Sequence, residues 1–269
     1  MILRAITAVL EREIIRMIRQ KARLVAAMVR PLIWLLVIGS GIGSMVDTVQ
    51  GQSYITYLIP GVLGMTVLFG AMLAALTTVY DKESGVMRIM IVAPLPHYWI
   101  IIAKTLSASV ASVLQALLLL IILVLLGFIK LDLSLFFITI SIILVSFACA
   151  GIGMLTASFS KSLDNFASVM NFIIFPIFFI SGALYPVQEL PFPLRMIAQI
   201  NPYTYAVDLL KHSFATPSSV SFAGGDFDII LDILVLLIFI VFSVLLSSWR
   251  FSRDDNQESL IKRITTSLR

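Results

Sequence analysis

Four stretches of this chain, residues 48–80, 105–129, 133–160 and 165–188, contain no Asp, Glu, Lys or Arg, and a shorter one covers 233–249. A helix needs about 20 mainly apolar residues to cross the ~30 Å hydrocarbon core of a bilayer, so each run is long enough, or nearly so, to span it. No water-soluble fold could hide so much apolar surface: 59% of the residues are hydrophobic and 13% charged, where a soluble domain carries about 25% charged residues. A sixth apolar stretch is strictly charge-free only over 31–46, about 24 Å of helix. Its span is therefore expected to begin near Leu24, with Arg30 snorkelling or facing protein. The expectation is an all-α integral membrane protein with six transmembrane helices, at 24–46, 54–79, 99–128, 133–159, 166–184 and 229–249.

Lys and Arg collect on the cytoplasmic side of membrane spans. With six spans, one face receives Arg4, Arg12, Arg16, Arg19, Lys21, Arg23 and Arg30, then Lys82, Arg88 and Lys104, then Lys161, and finally Arg250, Arg253, Lys262, Arg263 and Arg269. The other face holds only Lys130, Arg195 and Lys211, against Asp47, Asp132, Glu189, Asp208, Asp226 and Asp228. Both termini are expected in the cytoplasm. This sorting also accounts for the net charge of +4, which a nucleic-acid-binding patch would not arrange by membrane side. No nucleic-acid partner is expected.

Leu3, Ile6, Leu10, Ile14 and Met17 recur every three or four positions, with Arg4, Glu11, Arg12, Arg16 and Arg19 on the other side. Residues 1–23 therefore read as an amphipathic helix in the membrane interface, ahead of a transmembrane domain at 24–249 and a cytoplasmic tail at 250–269. A cleaved signal peptide is the rival, since Gly39-Ser40-Gly41 offers small residues after an apolar stretch. The long charged region before the apolar core argues against it.

Two connections are too polar to be spans and too long to be turns. The first, 81–96, opens with Asp81-Lys82-Glu83, places Val86, Met87, Met90 and Ile91 at helical spacing and stops at Pro94 and Pro96, which reads as a short amphipathic helix with a firm end. A simple solvated connection is the alternative. The second, 185–228, is broken by Leu190-Pro191-Phe192-Pro193 and Asn201-Pro202-Tyr203 into short helices that dip into the outer leaflet.

Chemistry-bearing residues are sparse. His97 and His212 are the only histidines and are expected on opposite sides of the membrane, so no two-histidine metal site is available, and no nucleophile stands at a recognisable spacing from a base. The single Cys149 lies in an apolar run, which suits a packing role. No catalytic residue, metal site or cofactor is expected in this chain. An ion-coupled carrier would place ionisable groups within its spans; the span centres hold none, and Asp232, near a helix end, is expected to reach the interface. Thr66, Thr77, Thr78, Gln115, Ser146, Asn171 and Ser181 either hydrogen-bond between helices or line a path. The aromatic residues Phe172, Phe175, Phe178 and Phe179 suit either a lipophilic substrate or lipid.

The segment Glu83-Ser84-Gly85-Val86-Met87-Arg88-Ile89-Met90-Ile91-Val92-Ala93-Pro94 after the second span resembles the cytoplasmic signature of ABC type-2 permeases. Ser181-Gly182-Ala183-Leu184-Tyr185-Pro186, followed by Asn201-Pro202-Tyr203-Thr204-Tyr205, resembles the same family's region between the fifth and sixth spans. The order of these motifs extends the resemblance over nearly the whole chain, closest to the drug- and lipid-exporter branch. It implies a permease subunit of an exporter for an amphipathic drug, lipid or lipid-linked glycan, paired with a second permease chain as a homodimer and resting on two ABC ATPase subunits in the bacterial inner membrane. It also implies that Asp81, Lys82, Glu83, Gly85, Val86, Met87, Arg88, Met90 and Pro94 form the ATPase-coupling region, and that Ser181, Gly182, Tyr185, Pro186, Asn201, Pro202 and Tyr203 belong to an outer gate. A phosphate-binding loop needs G-x-x-x-x-G-K-[ST], and no lysine here follows a glycine. ATP and its Mg2+ are thus expected on the partner ATPase. A secondary transporter or channel independent of ATP is the alternative reading.

Overall fold

A computed structural model of the chain describes residues 2–19, 21–46, 48–49, 51–86, 97–129, 134–214 and 225–267. An amphipathic helix, α1 (Ile2–Arg19), is followed by α2 (Lys21–Ile33), which runs through a π-helical turn at Trp34–Ile38 into α3 (Gly39–Gly43). A two-residue hairpin, β1 (Thr48–Val49) antiparallel to β2 (Gln52–Ser53), turns at Gly51, whose φ of 78° lies in the left-handed region. Then come α4 (Tyr54–Glu83), α5 (His97–Leu125) and α6 (Ser134–Phe159). The next helix, α7 (Leu163–Val169), again passes through a π-helical turn, Met170–Ile174, into α8 (Phe175–Ile180). Two short helices, α9 (Phe192–Ile200) and α10 (Pro202–Phe214), precede the long α11 (Ile229–Ser267).

Among the described residues, five helical stretches are long and apolar enough to cross a membrane: Tyr54–Glu83, Tyr98–Leu125, Leu135–Phe159, Leu163–Ile180 and Ile229–Arg253. This is an all-α membrane protein. The apolar part of the first expected span, Ala27–Gly43, is shorter, about 25 Å at the helical rise. Arg30 stays exposed there with its guanidinium 5.6 Å over the Phe69 ring, the protein-facing outcome foreseen for it.

The helix ends are written in the sequence. Gly127, at φ 77°, follows α5, and Phe128 N–H donates back to Leu123 O at 3.0 Å, which satisfies a terminal carbonyl. Ser162 caps α7 by accepting from Asn165 N–H. Asn201 accepts from Tyr203 N–H, with Pro202 at the first helical position of α10.

The centre of the bundle is α4, with 78% of its apolar stretch buried against 17% for both α11 and the span 163–180. It packs on α5, α6 and α10, and α6 in turn packs on α11. Small residues set the spacing: Gly153 lies against Ala71 and Ala75 of α4, and Gly151 against Ser243 of α11. The nearest approach of all is at Gly61, where a Cβ would collide with the backbone of Ala183. Cys149 is fully buried in this core.

Candidate functional site

One end of the bundle is held by a knot of charges from three helices. Asp81, in the last turn of α4, accepts from Lys104 Nζ of α5 at 2.5 Å and from Arg12 Nη2 of α1 at 2.9 Å, with Arg16 Nη1 at 3.9 Å. Lys104 also donates to Glu13 Oε1 at 2.9 Å, as does Arg12 at 2.8 Å. Asp81 and Lys104 are 3% and 2% exposed. Buried charges persist only when paired and hydrogen-bonded, because each costs several kcal/mol to desolvate. Burial works against the Glu13 carboxylate, but Lys104 and Arg12 outweigh it and hold the carboxyl below its ordinary range.

The neighbouring residues extend the joint. Lys82 Nζ donates to Ala157 O at 2.9 Å and Ser158 O at 3.2 Å and stands over the Phe251 ring. Glu83 Oε1 accepts from Leu163 N–H at the start of α7. The helix stops at Ser84-Gly85, with Gly85 at φ 74°, a left-handed C-terminal position that favours glycine.

The expectation of a separate helix beginning at Asp81 is thereby corrected: Asp81, Lys82 and Glu83 are the end of α4, whose hydrogen-bond ladder continues through them. Asp81 and Lys82 are engaged within the chain, whereas Glu83 is exposed and Gly85 and Val86 are partly exposed. Met87, Arg88, Met90 and Pro94 lie outside the described residues.

Beside this joint, α1, α4 and α5 line a cavity that includes Glu13, Arg16 and Lys104 together with Leu73, Thr77, Ala108 and Gln115. Of the other intramembrane polar residues, Thr66, Thr77 and Ser181 donate to carbonyls of their own helices, and Thr78 reaches Met154 Sδ across to α6. The phenylalanines divide: Phe178 is buried against Trp34 and Tyr203, and Phe172 is exposed.

The opposite end gathers the second motif around α4. Tyr57 OH donates to Gly182 O and Tyr54 OH to Leu184 O, each at 3.2 Å. Gly182 has φ 82°, and Ser181 is buried beside it. Tyr185, half exposed, donates to Phe179 O, and Pro186 leads into a 3-10 turn at Val187–Glu189. Asn201 Nδ2 reaches back to Ile177 O at 3.0 Å, and Tyr203 is buried with its hydroxyl against Gly64. Of the expected outer-gate residues, Gly182 and Tyr203 thus meet α4, while Tyr185 and Asn201 hydrogen-bond to α8.

Several residues there were legible only as loop charges. Lys211 Nζ lies 2.8 Å from Tyr57 Oη and 3.0 Å from Asp226 Oδ2. Asp208 and His212, one turn apart on α10, meet Asp232 from the first turn of α11, with His212 Nε2 3.6 Å from a carboxylate oxygen of each. Asp232 does not reach an interface: it is fully buried, because α10 packs over the start of α11.

Residues 4–215 match the family described as ABC-2 type transporter. The chain is 28% identical over 192 residues to nodulation protein J of Rhizobium leguminosarum bv. trifolii, covering 71% of this chain and 73% of that protein. It is 27% identical to the putative transport permease ycf38 of Cyanophora paradoxa over 85% of this chain and 82% of the relative. It is 24% identical to the inner membrane transport permease YadH of Escherichia coli over 71% and 75% respectively.

Proposed function

The chain belongs to the ABC-2 type transporter family and is the membrane subunit of an ABC transporter; we propose that it serves an exporter, moving an amphipathic or lipid-like molecule outward under the drive of a separate ATPase. The observation that carries this reading is the placement of α4. Its last turn holds the charge knot, its first turns hold the region 181–185, and its 30 residues span about 45 Å. Residues 82–103 are bracketed by Asp81 and Lys104, which are ion-paired. A push on that segment would be delivered to α4 and α5 together and carried to the far end.

The ATPase contact is proposed at Glu83, Gly85 and Val86 and the residues that follow, through Arg88 and Pro94. Asp81 and Lys82 would pass the motion inward, and the region 181–203 would gate the outer side. Two ATPase copies and a second copy of this chain complete the assembly. Asn171 stands exposed in the span 163–180, where an amide gains nothing from lipid tails, and a neighbouring copy would give it partners. The cavity beside Lys104 mixes charged, polar and apolar lining residues, which is compatible with contact to an amphipathic molecule. Six spans with both termini in the cytoplasm of a bacterial inner-membrane protein are part of the proposal; the meeting of Arg12, Arg16, Lys82 and Lys104 at one end of the bundle supports a cytoplasmic placement of that end.

The test is purification of the chain from its native membrane and transport in vesicles. The reading expects a co-purifying ATPase and transport that requires ATP inside the compartment holding the charge knot. ATP-independent transport that follows an imposed proton gradient would overturn it in favour of a secondary carrier.

A further inference from the structure

Asp232 is completely buried, and neither of its carboxylate oxygens receives a hydrogen bond. What faces it is a second carboxylate, Asp208, and the ring of His212. The surroundings do not balance these charges. Lys211 is committed to Asp226 and Tyr57, and Asp208 takes two backbone N–H groups, from Asp226 at 2.6 Å and Phe227 at 2.8 Å. Asp232 has none of this support, although an isolated buried carboxylate is strongly disfavoured.

The donor set has a definite chemistry. One imidazole nitrogen and two carboxylate oxygens lie within 4.8 Å of one another, with His212 Nε2 3.6 Å from each oxygen. Tetrahedral ligands at roughly 2.0–2.1 Å from Zn2+ stand about 3.3 Å apart, so small side-chain shifts suffice to close the set around an ion. Gly225 passes directly beside two of the three groups: a Cβ there would fall 2.7 Å from Asp208 Oδ2 and against His212 Nε2, so only a glycine leaves these donor atoms uncovered.

We propose that Asp208, His212 and Asp232 form a binding site for a divalent transition-metal ion of the Zn2+ class. One imidazole with two carboxylates suits such an ion better than Mg2+ or Ca2+, which favour all-oxygen shells. Binding displaces the Nε2 proton now directed at Phe227 O, 2.9 Å away, and supplies the positive charge that Asp232 lacks. The ion staples α10 to the first turn of α11. The site does not depend on the transport reading.

The experiment uses the full chain with its ATPase partner, purified without a polyhistidine tag, stripped with a chelator and desalted. Zn2+ is then titrated calorimetrically and the metal retained after a second desalting is measured. One Zn2+ per permease chain is expected, with a chelator-reversible rise in Tm. Asp232→Asn and His212→Gln should each weaken binding by about 100-fold or more, beyond the 10–100-fold typical of residues that only support a ligand. Should a variant fail to fold, wild-type protein loaded with Co2+ should show the visible bands of a tetrahedral ion, abolished by Zn2+. Equal Zn2+ retention by wild type and a folded Asp232→Asn protein would overturn the proposal. So would a Zn2+-insensitive Tm in the wild type together with a raised Tm in Asp232→Asn, the signature of a proton shared between the two carboxylates.

Discussion

Asp81 and Lys104 meet at 2.5 Å with both side chains closed off from solvent, and this pair ties the end of α4 to the start of α5 across 23 residues of chain. Arg12 and Glu13 lock α1 onto the same point. A segment whose two stems are joined in this way transmits force to both helices as one body. This supports the coupling role proposed for it.

Removing one member of that pair should cost more than removing both. Lys104→Met leaves Asp81 buried with only the arginines of α1, and Asp81→Asn leaves Lys104 with Glu13 alone. Each is expected to destabilise by about 3 kcal/mol, as for other broken buried pairs. The double variant Asp81→Asn with Lys104→Met should recover part of that loss. Thermal unfolding in detergent, run as a double-mutant cycle, measures the coupling. Additive losses would show that the pair does not act as a unit.

The contact between α1 and the bundle should be lost in acid. The folded Glu13 carboxyl titrates below its ordinary range, so its stabilising contribution is fully present above the unfolded value of about 4.3 and disappears as pH falls through the folded value. A fluorophore on Glu11→Cys, exposed on α1, should report a docked helix at neutral pH and its release as pH falls through the lowered Glu13 value, below the ordinary carboxylate range. Glu13→Gln should remove that acid transition.

Two glycines predict opposite outcomes for the same substitution. Gly61→Ala drives a methyl group into the Ala183 backbone, which is expected to cost about 1–3 kcal/mol through overpacking and to disturb the region 181–185. Gly41→Ala meets nothing within 4 Å and should be neutral or gain up to about 1 kcal/mol from helix propensity. Melting temperatures and vesicle transport compare them directly.

Gly85 separates a backbone requirement from a side-chain one. At φ 74°, Gly85→Ala should cost about 1 kcal/mol while Gly85→Asn, which tolerates the left-handed region, should cost less. Gly85→Pro is incompatible with a positive φ and should abolish ATPase stimulation by substrate while leaving membrane insertion intact. Normal transport by the proline variant would argue that residues 81–96 are a plain connection.

The helices were legible in the sequence because their signals are local. Runs such as 133–159 and 229–249 declare themselves by apolar content, and breaks such as Asn201-Pro202 are chosen by the backbone conformation of a few neighbouring residues. The amphipathic α1 was legible for the same reason. The boundary between α4 and the segment after it was misplaced because Asp81-Lys82-Glu83 look like loop charges until their partners are known. Asp232 was misjudged likewise: nearness to a helix end suggests solvent, and only the packing of α10 over that end removes it.

The sequence by itself determined the all-α membrane class and the sorting of charges to two sides, since partition between water and hydrocarbon is decided residue by residue along the chain. Only the tertiary structure decided which charges become partners. Arg12 with Asp81, Lys211 with Tyr57, and Asp232 beside Asp208 and His212 join residues from 20 to 154 positions apart. Those meetings depend on how closely the helices pack, which is set by contacts such as Gly61 on Ala183 and Gly153 on Ala71 that no local pattern of apolar and charged residues encodes.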